Sequence, residues 1–159
     1  MQDVYLMLGS NLGDRKAFLL EACKQIAERI GMIVSSSSLY ETASWGRSDQ
    51  PDYINQAVHL RTSLTALEVL NRALAIEAGL GRERLEKWDA RVIDIDVLFY
   101  GTSIIEQPGL IIPHPHLHKR AFVLFPLREI APSLIHPVLK TTITELCNNL
   151  ADNSSVRPI

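Results

Sequence analysis

Apolar and polar positions in the first part of the chain change from the period of a strand to that of a helix. Residues 4–8 are typical of a buried strand, and the Gly- and Asn-containing residues 9–14 after them indicate a turn. A helix is predicted next, with Asp14 as its N-cap and Gly31 as its stop. The spacing of its apolar residues indicates one core-facing side, formed by Leu19, Ala22, Cys23, Ile26 and Ile30.

Two further strands are predicted on either side of a polar loop. The first runs from Met32 to Glu41 and is expected to be half-exposed because it holds four consecutive serines. The loop spans Thr42 to Asp52, and the next strand spans Tyr53 to Arg61. Tyr53 and Asn55 point to the same side of that strand, away from its apolar side. From the residues alone, we interpret both as surface side chains.

A second helix is predicted from a capping box, in which Thr65 is followed three residues later by Glu68. We expect it to end at Gly79. Glu77 is a candidate site residue beneath the end of this helix, and a solvated last turn is the alternative. It continues the apolar stripe that we expect to face the core, which consists of Leu67, Leu70 and Leu74.

The second half of the chain is predicted to contain a buried strand, a hairpin and two more helices. The strand covers residues 91–100, the hairpin 104–112, and the first helix 120–130. Thr142 caps the last helix, and the tail from Ala151 is expected to be loose. The order strand-helix-strand-strand-helix-strand predicts an α+β, ferredoxin-like sandwich, an antiparallel sheet with helices on one face, extended by C-terminal helices.

The composition predicts one globular domain, residues 1–159, with 47% hydrophobic and 21% charged residues. The net charge of −2 gives no basic footprint, so nucleic acid and anionic membranes are not expected partners. No apolar run approaches the ~20 residues of a membrane span, and the first residues lack the features of a signal peptide. We therefore expect a cytoplasmic location. Cys23 and Cys147 are isolated, and we interpret both as buried, inert thiols.

Two carboxylates interrupt the strand predicted at residues 91–100. Asp94 and Asp96 point to one face, with Cα atoms ~6.7 Å apart, so their charges repel unless a cation lies between them. Mg²⁺ or Mn²⁺ is the natural candidate, although this short pattern taken alone favours a solvated edge or pairing with arginines. The opposite face of the strand is expected to carry Ile93, Ile95, Val97 and Phe99.

The segment just before this strand raises the weight of the metal interpretation. Residues 81–91 hold four cationic side chains and the indole of Trp88. Guanidinium groups bind phosphate oxygens in pairs, and an indole offers a face for stacking. Cations beside a carboxylate pair therefore indicate a site for a polyphosphate and its metal.

An ordered set of short motifs covers nearly the whole chain. It consists of Gly9-Ser10-Asn11-Leu12, Tyr40-Glu41-Thr42, residues 49–55, Glu77, Gly81-Arg82-Glu83-Arg84, Trp88, residues 91–96, Pro113-His114-Pro115, Arg120-Ala121-Phe122 and Pro126-Leu127. In this order they resemble the 6-hydroxymethyl-7,8-dihydropterin pyrophosphokinase family of the folate pathway. The resemblance implies transfer of pyrophosphate from ATP to a pterin alcohol, by in-line attack of the hydroxyl on the β-phosphorus.

The resemblance also implies roles for individual residues. The catalytic set is Arg82, Arg91, Asp94 and Asp96, of which Asp94 and Asp96 hold two Mg²⁺ ions. The co-substrate ATP would contact Glu77, Arg82, Arg84, Trp88, Arg91, His114 and Arg120. The pterin would contact Thr42, Trp45, Tyr53, Asn55, Trp88 and Phe122, with its ring between Tyr53 and Phe122. The acceptor of the hydroxyl proton is left open between Asp96 and a metal. We expect a monomer.

Two segments are expected to close over the ligands, residues 82–90 and, with them, residues 42–52. Like charges in the first segment cannot pack together until a polyphosphate and its metals arrive. This chain departs from the family's usual pattern at Asp89-Ala90, where Gly-Pro is frequent, and also at Lys87 and Ser44. These departures bear on the geometry of the loops and on the rate more than on the activity itself.

Two alternatives of different classes stay open. His114, His116 and His118 could form a zinc site for hydrolysis, although Pro113 and Pro115 make the segment a rigid loop whose side chains need not converge. The chain could also be a ferredoxin-like module that binds a nucleotide or a pterin without turning it over. Such a module would bind ATP without releasing AMP.

Overall fold

The computed structural model describes residues 1–42, 52–81, 92–152 and 155–159. Its strands are β1 (Gln2–Ser10), β2 (Met32–Ser36), β3 (Tyr40–Thr42), β4 (Tyr53–Thr62), β5 (Asp94–Tyr100), β6 (Ile105–Gln107), β7 (Leu110–Ile112) and β8 (Val156–Pro158). Its helices are α1 (Arg15–Arg29), α2 (Ala66–Gly81), α3 (Ala121–Ile130) and α4 (Ile143–Asn148), with a 3-10 turn at Leu117–Lys119.

The main sheet contains six of the eight strands that the structure describes. Its strands run β5-β1-β4-β3-β8, β2 also pairs with β4, and every pairing is antiparallel. The strands β1 and β4 lie inside the sheet, and most of their residues are buried. The predicted ferredoxin-like arrangement is confirmed, and β6 and β7 form the predicted hairpin beside it.

The helices α1 and α2 cover one face of this sheet and begin where the caps predict. The carboxylate of Asp14 accepts a hydrogen bond from the Ala17 N–H at 3.2 Å. Thr65 and Glu68 form the reciprocal bonds of a capping box, at 2.8 and 3.2 Å. The core between helices and sheet includes Val4, Leu6, Leu8, Leu19, Ala22, Ile26, Ile54, Val58, Leu60, Val69, Ala73 and Ile76, all nearly inaccessible to solvent.

The C-terminal helices α3 and α4 lie on the other face of the sheet and bury a second apolar cluster. Met7 and Ala57 supply the sheet side of it, together with Leu98 and Phe99. The helix side includes Val123, Leu124, Leu127, Ile143 and Leu146. The sheet therefore has a helical layer on each face, whereas the sequence left the position of the C-terminal helices open.

Three details of the strands and helices differ from the sequence predictions. The segment predicted as one strand at residues 32–41 forms two strands, β2 and β3, because the strand is interrupted at Ser37 and Ser38. Ser37 still pairs with Ala57 of β4, through bonds of 2.9 Å from its N–H and to its hydroxyl. The carboxylate of Glu129 accepts bonds from the Ser38 N–H and the Tyr40 hydroxyl, at 2.9 and 2.7 Å. Glu129 thereby ties the start of β3 to α3.

The predicted position of Phe99 was wrong because β5 contains a β-bulge. Tyr5 pairs with Phe99 but Leu6 pairs with Val97, which leaves Leu98 as the extra residue. Phe99 consequently packs with the α3 and α4 layer instead of with Ile95 and Val97.

The predicted core face of α2 was also wrong. The residues buried on α2 are Ala66, Val69, Ala73 and Ile76, whereas Leu67 and Leu74 are 49% and 50% exposed. Apolar residues occur on most sides of this helix, so periodicity alone selected the wrong stripe. The helix also continues two residues beyond Gly79, to Gly81.

The prediction of a loose tail does not hold for the described residues at the C-terminus. Val156–Pro158 forms β8, which pairs with β3 at the edge of the sheet, and Arg157 donates a 2.7 Å bond to Glu41. Backbone hydrogen bonds to the otherwise open edge of β3 hold this short segment in place. The segment has no amphipathic pattern from which a strand could be predicted. In the described part of the chain, no helix has the length and apolar character that crossing a membrane requires.

Candidate active site

The two carboxylates of β5 lie at the centre of the candidate site. Asp94 and Asp96 share one face of the strand; Asp94 is half-buried and Asp96 is exposed. Asp94 is in register with Gly9 of β1, and Gly9 is in register with Asn55 of β4. Neighbouring strands are ~4.8 Å apart, so the Cα atoms of Asp94 and Asn55 are separated by roughly 10 Å. The ends of three strands thus present a polar row wide enough for a flat ligand.

Gly9 is required in this row because the side chain of Asn55 lies over it. A Cβ atom built on Gly9 would be 2.6 Å from the Oδ1 atom of Asn55, closer than two such atoms can approach. Asn55 is only 5% exposed, so its amide is held in one place. The turn motif that begins at Gly9 therefore also shapes the site, a role that the sequence pattern did not reveal.

A first cavity of about 480 Å³ opens above this row and brings together all four of the predicted pterin residues that the structure describes. Its lining consists of Met7, Gly9, Thr42, Tyr53, Asn55, Asp94, Asp96, Arg120, Phe122 and Asp152. The strand ends supply Thr42, Tyr53 and Asn55, while the start of α3 supplies Phe122. Tyr53 and Asn55, taken from the residues alone as surface side chains, line a cavity instead.

Polar groups inside the first cavity are arranged for an incoming ligand. The hydroxyl of Thr42 is buried and has no hydrogen-bond partner among the described residues. An unsatisfied buried hydroxyl is costly, so a ligand that supplies a partner would gain affinity there. The guanidinium carbon of Arg120 lies 5.7 Å from the centre of the Phe122 ring, which orients that ring at the cavity wall.

A second cavity of about 490 Å³ lies on the other side of the same carboxylates. Its lining consists of Leu70, Leu74, Glu77, Asp94, Ile95, Asp96, Val97, Gly109, Leu110, Ile111, His114 and Pro115. Here Leu70, which also packs against the core, and Leu74, which was wrongly predicted to face it, form the wall on α2. Asp94 and Asp96 line both cavities, so a group held by them is accessible from either side.

Two predicted nucleotide residues have defined contacts at the second cavity. The Glu77 carboxylate accepts a 2.6 Å bond from the Ile95 N–H, between the two aspartates, and so fixes β5 against α2. The His114 N–H donates to the carbonyl of Leu98 at 3.0 Å. Burial lowers the pKa of His114, and Arg120 and His116 lower it further against the opposing effect of Asp96. His114 is therefore a neutral imidazole near pH 7.

The three histidines of the zinc alternative do not converge. The rings of His114 and His116 are 6.3 Å apart, and Nδ1 of His114 accepts a bond from the His116 N–H. The ring of His118 instead lies 6.3 Å from His136. Among the residues that the structure describes, no three His, Cys, Asp or Glu side chains form a group suited to a metal ion. The zinc hydrolase is not favoured.

Several predicted site residues lie outside the described ranges. They are Trp45, Arg82, Arg84, Trp88 and Arg91, together with Ser44, Lys87, Asp89 and Ala90. The predicted closure of residues 82–90 and 42–52 stays a prediction for the same reason. Conversely, Asp152 was not predicted at the site, since it stands alone in a polar segment with no motif around it.

The described residues thus combine a ferredoxin-like sheet with a carboxylate pair that lines two cavities. A family model described as 7,8-dihydro-6-hydroxymethylpterin-pyrophosphokinase (HPPK) matches residues 5–132. The chain belongs to this family, as the motifs of the sequence predicted.

Relatives from several bacteria carry the name 2-amino-4-hydroxy-6-hydroxymethyldihydropteridine pyrophosphokinase. That of Haemophilus influenzae is 39% identical over 158 residues, covering 99% of this chain and 98% of the relative. That of Methylorubrum extorquens is 46% identical over 136 residues, covering 85% and 86%. That of Aquifex aeolicus is 39% identical over 145 residues, covering 91% and 90%.

Solved structures of HPPK-DHPS proteins share the fold. One, in complex with substrates, has a TM-score of 0.74 at 16% identity and is matched over 93% of this chain and 43% of its own. Another, from Plasmodium falciparum, has a TM-score of 0.75 at 18% identity, with 93% and 44% covered. This chain thus spans less than half of those longer chains.

Proposed function

We propose that this chain transfers pyrophosphate from ATP to 6-hydroxymethyl-7,8-dihydropterin, giving the pterin diphosphate and AMP, in the synthesis of tetrahydrofolate. The observation that carries the proposal is that Asp94 and Asp96 line both cavities at once. A pterin in the first cavity and the phosphates of ATP in the second would therefore meet at one carboxylate pair. In-line transfer needs such a meeting point more than it needs covalent help from the protein.

The residues of the first cavity fit a flat, polar heterocycle. Tyr53 and Phe122 would stack on the two faces of the pterin ring. The unpartnered hydroxyl of Thr42 and the fixed amide of Asn55 would bind the edge of the ring that carries hydrogen-bond donors and acceptors. Trp45 and Trp88 would close over the ring. The substrate hydroxyl would then point along the row toward Asp94 and Asp96.

The carboxylate pair fits Mg²⁺. Asp94 and Asp96 are hard oxygen donors on one face of a strand, and Asp96 is exposed, so a hydrated cation can approach it. We propose that they hold two Mg²⁺ ions, with phosphate oxygens and water as the other ligands. Bound Mg²⁺ would neutralise the phosphate charge and stabilise the charge that develops in the transition state.

The charge of the second cavity supports a need for additional cations. Its described lining carries the carboxylates of Glu77, Asp94 and Asp96 against one histidine, His114, whose pKa is lowered. A polyphosphate would be repelled from such a surface. We propose that the Mg²⁺ ions and the arginines of residues 82–91 reverse this charge; Arg120 lines the first cavity instead of the second. Of these arginines, Arg82 and Arg91 would bind the transferred group, and Arg84 would bind the nucleotide beside Glu77, Trp88 and His114.

The reaction itself is the test of this proposal. The protein is incubated with ATP, Mg²⁺ and 6-hydroxymethyl-7,8-dihydropterin, and the products are separated by chromatography and identified by ³¹P NMR. AMP and the pterin diphosphate in equal amounts are expected. ATP binding by calorimetry without AMP release would favour the non-catalytic module instead. The cytoplasmic location and the monomeric state stay predictions from the sequence.

A further inference from the structure

The C-terminal tail contacts the first cavity through the start of α3. The Oδ2 atom of Asp152 accepts a 2.9 Å hydrogen bond from the N–H of Ala121, the first residue of α3. Arg120, at the N-cap position of this helix, makes no capping bond with its own side chain. Asp152 therefore supplies, from 31 residues further along the chain, an acceptor that the local sequence does not provide. A carboxylate also suits the positive end of a helix dipole.

This bond is placed where it can set the geometry of the cavity wall. Ala121 is fully buried, and its neighbours Arg120 and Phe122 both line the first cavity. Asp152 lines the same cavity. A shift of the Ala121 backbone would therefore move the aromatic ring and the guanidinium together. A residue of the tail is thus hydrogen-bonded to the backbone next to Phe122.

The tail also reaches the opposite wall of the first cavity. In β8, Val156 is in register with Thr42, and Arg157 bonds to one oxygen of Glu41 at 2.7 Å. The other oxygen of Glu41 accepts from Arg15 at 3.0 Å, and the same Arg15 nitrogen donates to the Asp52 carbonyl at 2.6 Å. These bonds hold the residues that precede Tyr53 and flank Thr42. The ion pair between Arg157 and Glu41 is half-exposed. We therefore expect it to contribute less to the position of the cavity wall than the hydrogen bond between Asp152 and Ala121 does.

We propose that the C-terminal tail is a positioning element for the pterin half of the site, with Asp152 as its principal positioning residue. This inference rests on the proposed function. It concerns residues beyond the family match, which ends at residue 132. Asp152 acts through the Ala121 N–H: it orients the start of α3, and α3 in turn presents Phe122 and Arg120 to the ligand.

Steady-state kinetics of Asp152→Ala and Asp152→Asn test the proposal. Loss of the acceptor in Asp152→Ala is expected to raise the KM for the pterin about tenfold and to leave the KM for ATP within about twofold. Asparagine is as good a capping acceptor as aspartate, so Asp152→Asn should restore most of the pterin KM. If Asp152→Ala does not fold, Asp152→Glu, which displaces the carboxylate by one methylene, should show the same preference for the pterin KM.

Thr142→Ala is the matched control. Thr142 caps α4 through a 3.1 Å bond from the Glu145 N–H, so its loss removes a cap of the same kind in the same helical layer but outside the cavity. Both alanine variants should lower Tm, and only Asp152→Ala should change the pterin KM. An unchanged pterin KM in Asp152→Ala would overturn the proposal, as would an Asp152→Asn variant no better than Asp152→Ala.

A fluorine NMR measurement without ligand separates this proposal from the proposed function. The protein has four phenylalanines, so 4-fluorophenylalanine labelling gives a simple spectrum in which Phe122→Leu identifies the Phe122 signal. Asp152→Ala should shift or broaden that signal, whereas Thr142→Ala should leave it in place. If the unmodified protein releases no AMP, the proposed function fails, but the spectrum still decides whether Asp152 positions Phe122. An unchanged Phe122 signal in Asp152→Ala would contradict that role.

Discussion

The two cavities that share Asp94 and Asp96 are nearly equal in volume but differ in construction. The first is bounded by strand ends and by α3, and two of its polar side chains, Thr42 and Asn55, are buried. The second has an apolar wall on α2, and the acidic side chains of its described lining are Glu77, Asp94 and Asp96. In the proposed function the first cavity takes the flat pterin and the second takes the phosphates of ATP, which need cations beside these carboxylates. Substitutions should therefore separate the two ligands.

The largest expected effect comes from the residues that the cavities have in common. Asp94→Asn and Asp96→Asn keep the shape of β5 and remove a metal ligand, so each should lower kcat by ~10³ or more. Stability should be retained, because one of two repelling charges is lost. Glu106→Gln, an exposed carboxylate of β6 outside both cavities, is the control. Turnover in either aspartate variant comparable to that of the control would refute the metal assignment.

A smaller and ligand-specific effect is expected at the aromatic walls of the first cavity. Tyr53→Ala and Phe122→Ala should weaken pterin binding by roughly 1–3 kcal/mol and change ATP binding little. Phe125→Ala is a close control, because Phe125 lies on the same helix and under Arg128 at 5.1 Å but outside the cavity. Calorimetry with both ligands measures the difference. Equal losses for ATP and pterin would mean that the rings serve the core rather than the pterin.

Gly9 tests whether the first cavity is as fixed as its burial indicates. A methyl group in Gly9→Ala would meet the Asn55 amide at 2.6 Å and displace it, so pterin affinity should fall about tenfold. The control is Gly79→Ala, since a Cβ at Gly79 meets nothing within 4 Å. Pterin titrations of both variants decide the point: an affinity in Gly9→Ala that matches the control would show that Asn55 is free to move aside.

The smallest effect concerns pH and should leave the contrast between the cavities unchanged. His136 is buried, its Nδ1 accepts bonds from the Val138 and Leu139 N–H groups, and its ring packs edge-on against Phe99. Burial and the neighbouring His118 lower the pKa of His136. The unfolded chain therefore binds a proton more readily than the folded one. Neutral His136 therefore contributes its full stabilisation of the folded state above pH ~6.5. This stabilisation is lost as the pH falls from there through the lowered pKa of His136.

Thermal unfolding measured between pH 8 and pH 5 tests whether the stability of the protein falls on acidification. Tm should fall on acidification below pH ~6.5, and His136→Asn, which keeps a backbone acceptor but cannot titrate, should flatten the curve. The pKa of His118 is also lowered by burial, so some slope should persist in the variant. A Tm that rises on acidification would contradict the assignment.

Much of the fold was predictable because its signals are local. The caps at Asp14, Thr65 and Thr142 each depend on only four consecutive residues, and each forms the expected hydrogen bond. The errors have non-local causes. The bulge at Leu98 depends on pairing with β1, and the buried face of α2 depends on which of its apolar sides meets the sheet.

The residues of the candidate site likewise divide into those with a local sequence signal and those whose role depends on non-local contacts. Asp94 and Asp96 could be predicted as site residues because two charged side chains are unexpected in an otherwise apolar strand. Tyr53 and Asn55 were ambiguous from alternation alone, because it does not distinguish a solvent-exposed face from a cavity that α3 covers. Asp152 could not be found, since its role exists only once the tail has folded back on α3.

The most direct test of the account is a crystal structure of the protein with Mn²⁺, a non-hydrolysable ATP analogue and 6-hydroxymethyl-7,8-dihydropterin. Mn²⁺ replaces Mg²⁺ at carboxylate sites and can be located by its anomalous scattering. We predict Mn²⁺ at Asp94 and Asp96, with the pterin between Tyr53 and Phe122 in the first cavity and the phosphates entering from the second. Mn²⁺ bound away from these two aspartates, or the pterin and the phosphates on the same side of them, would contradict the account.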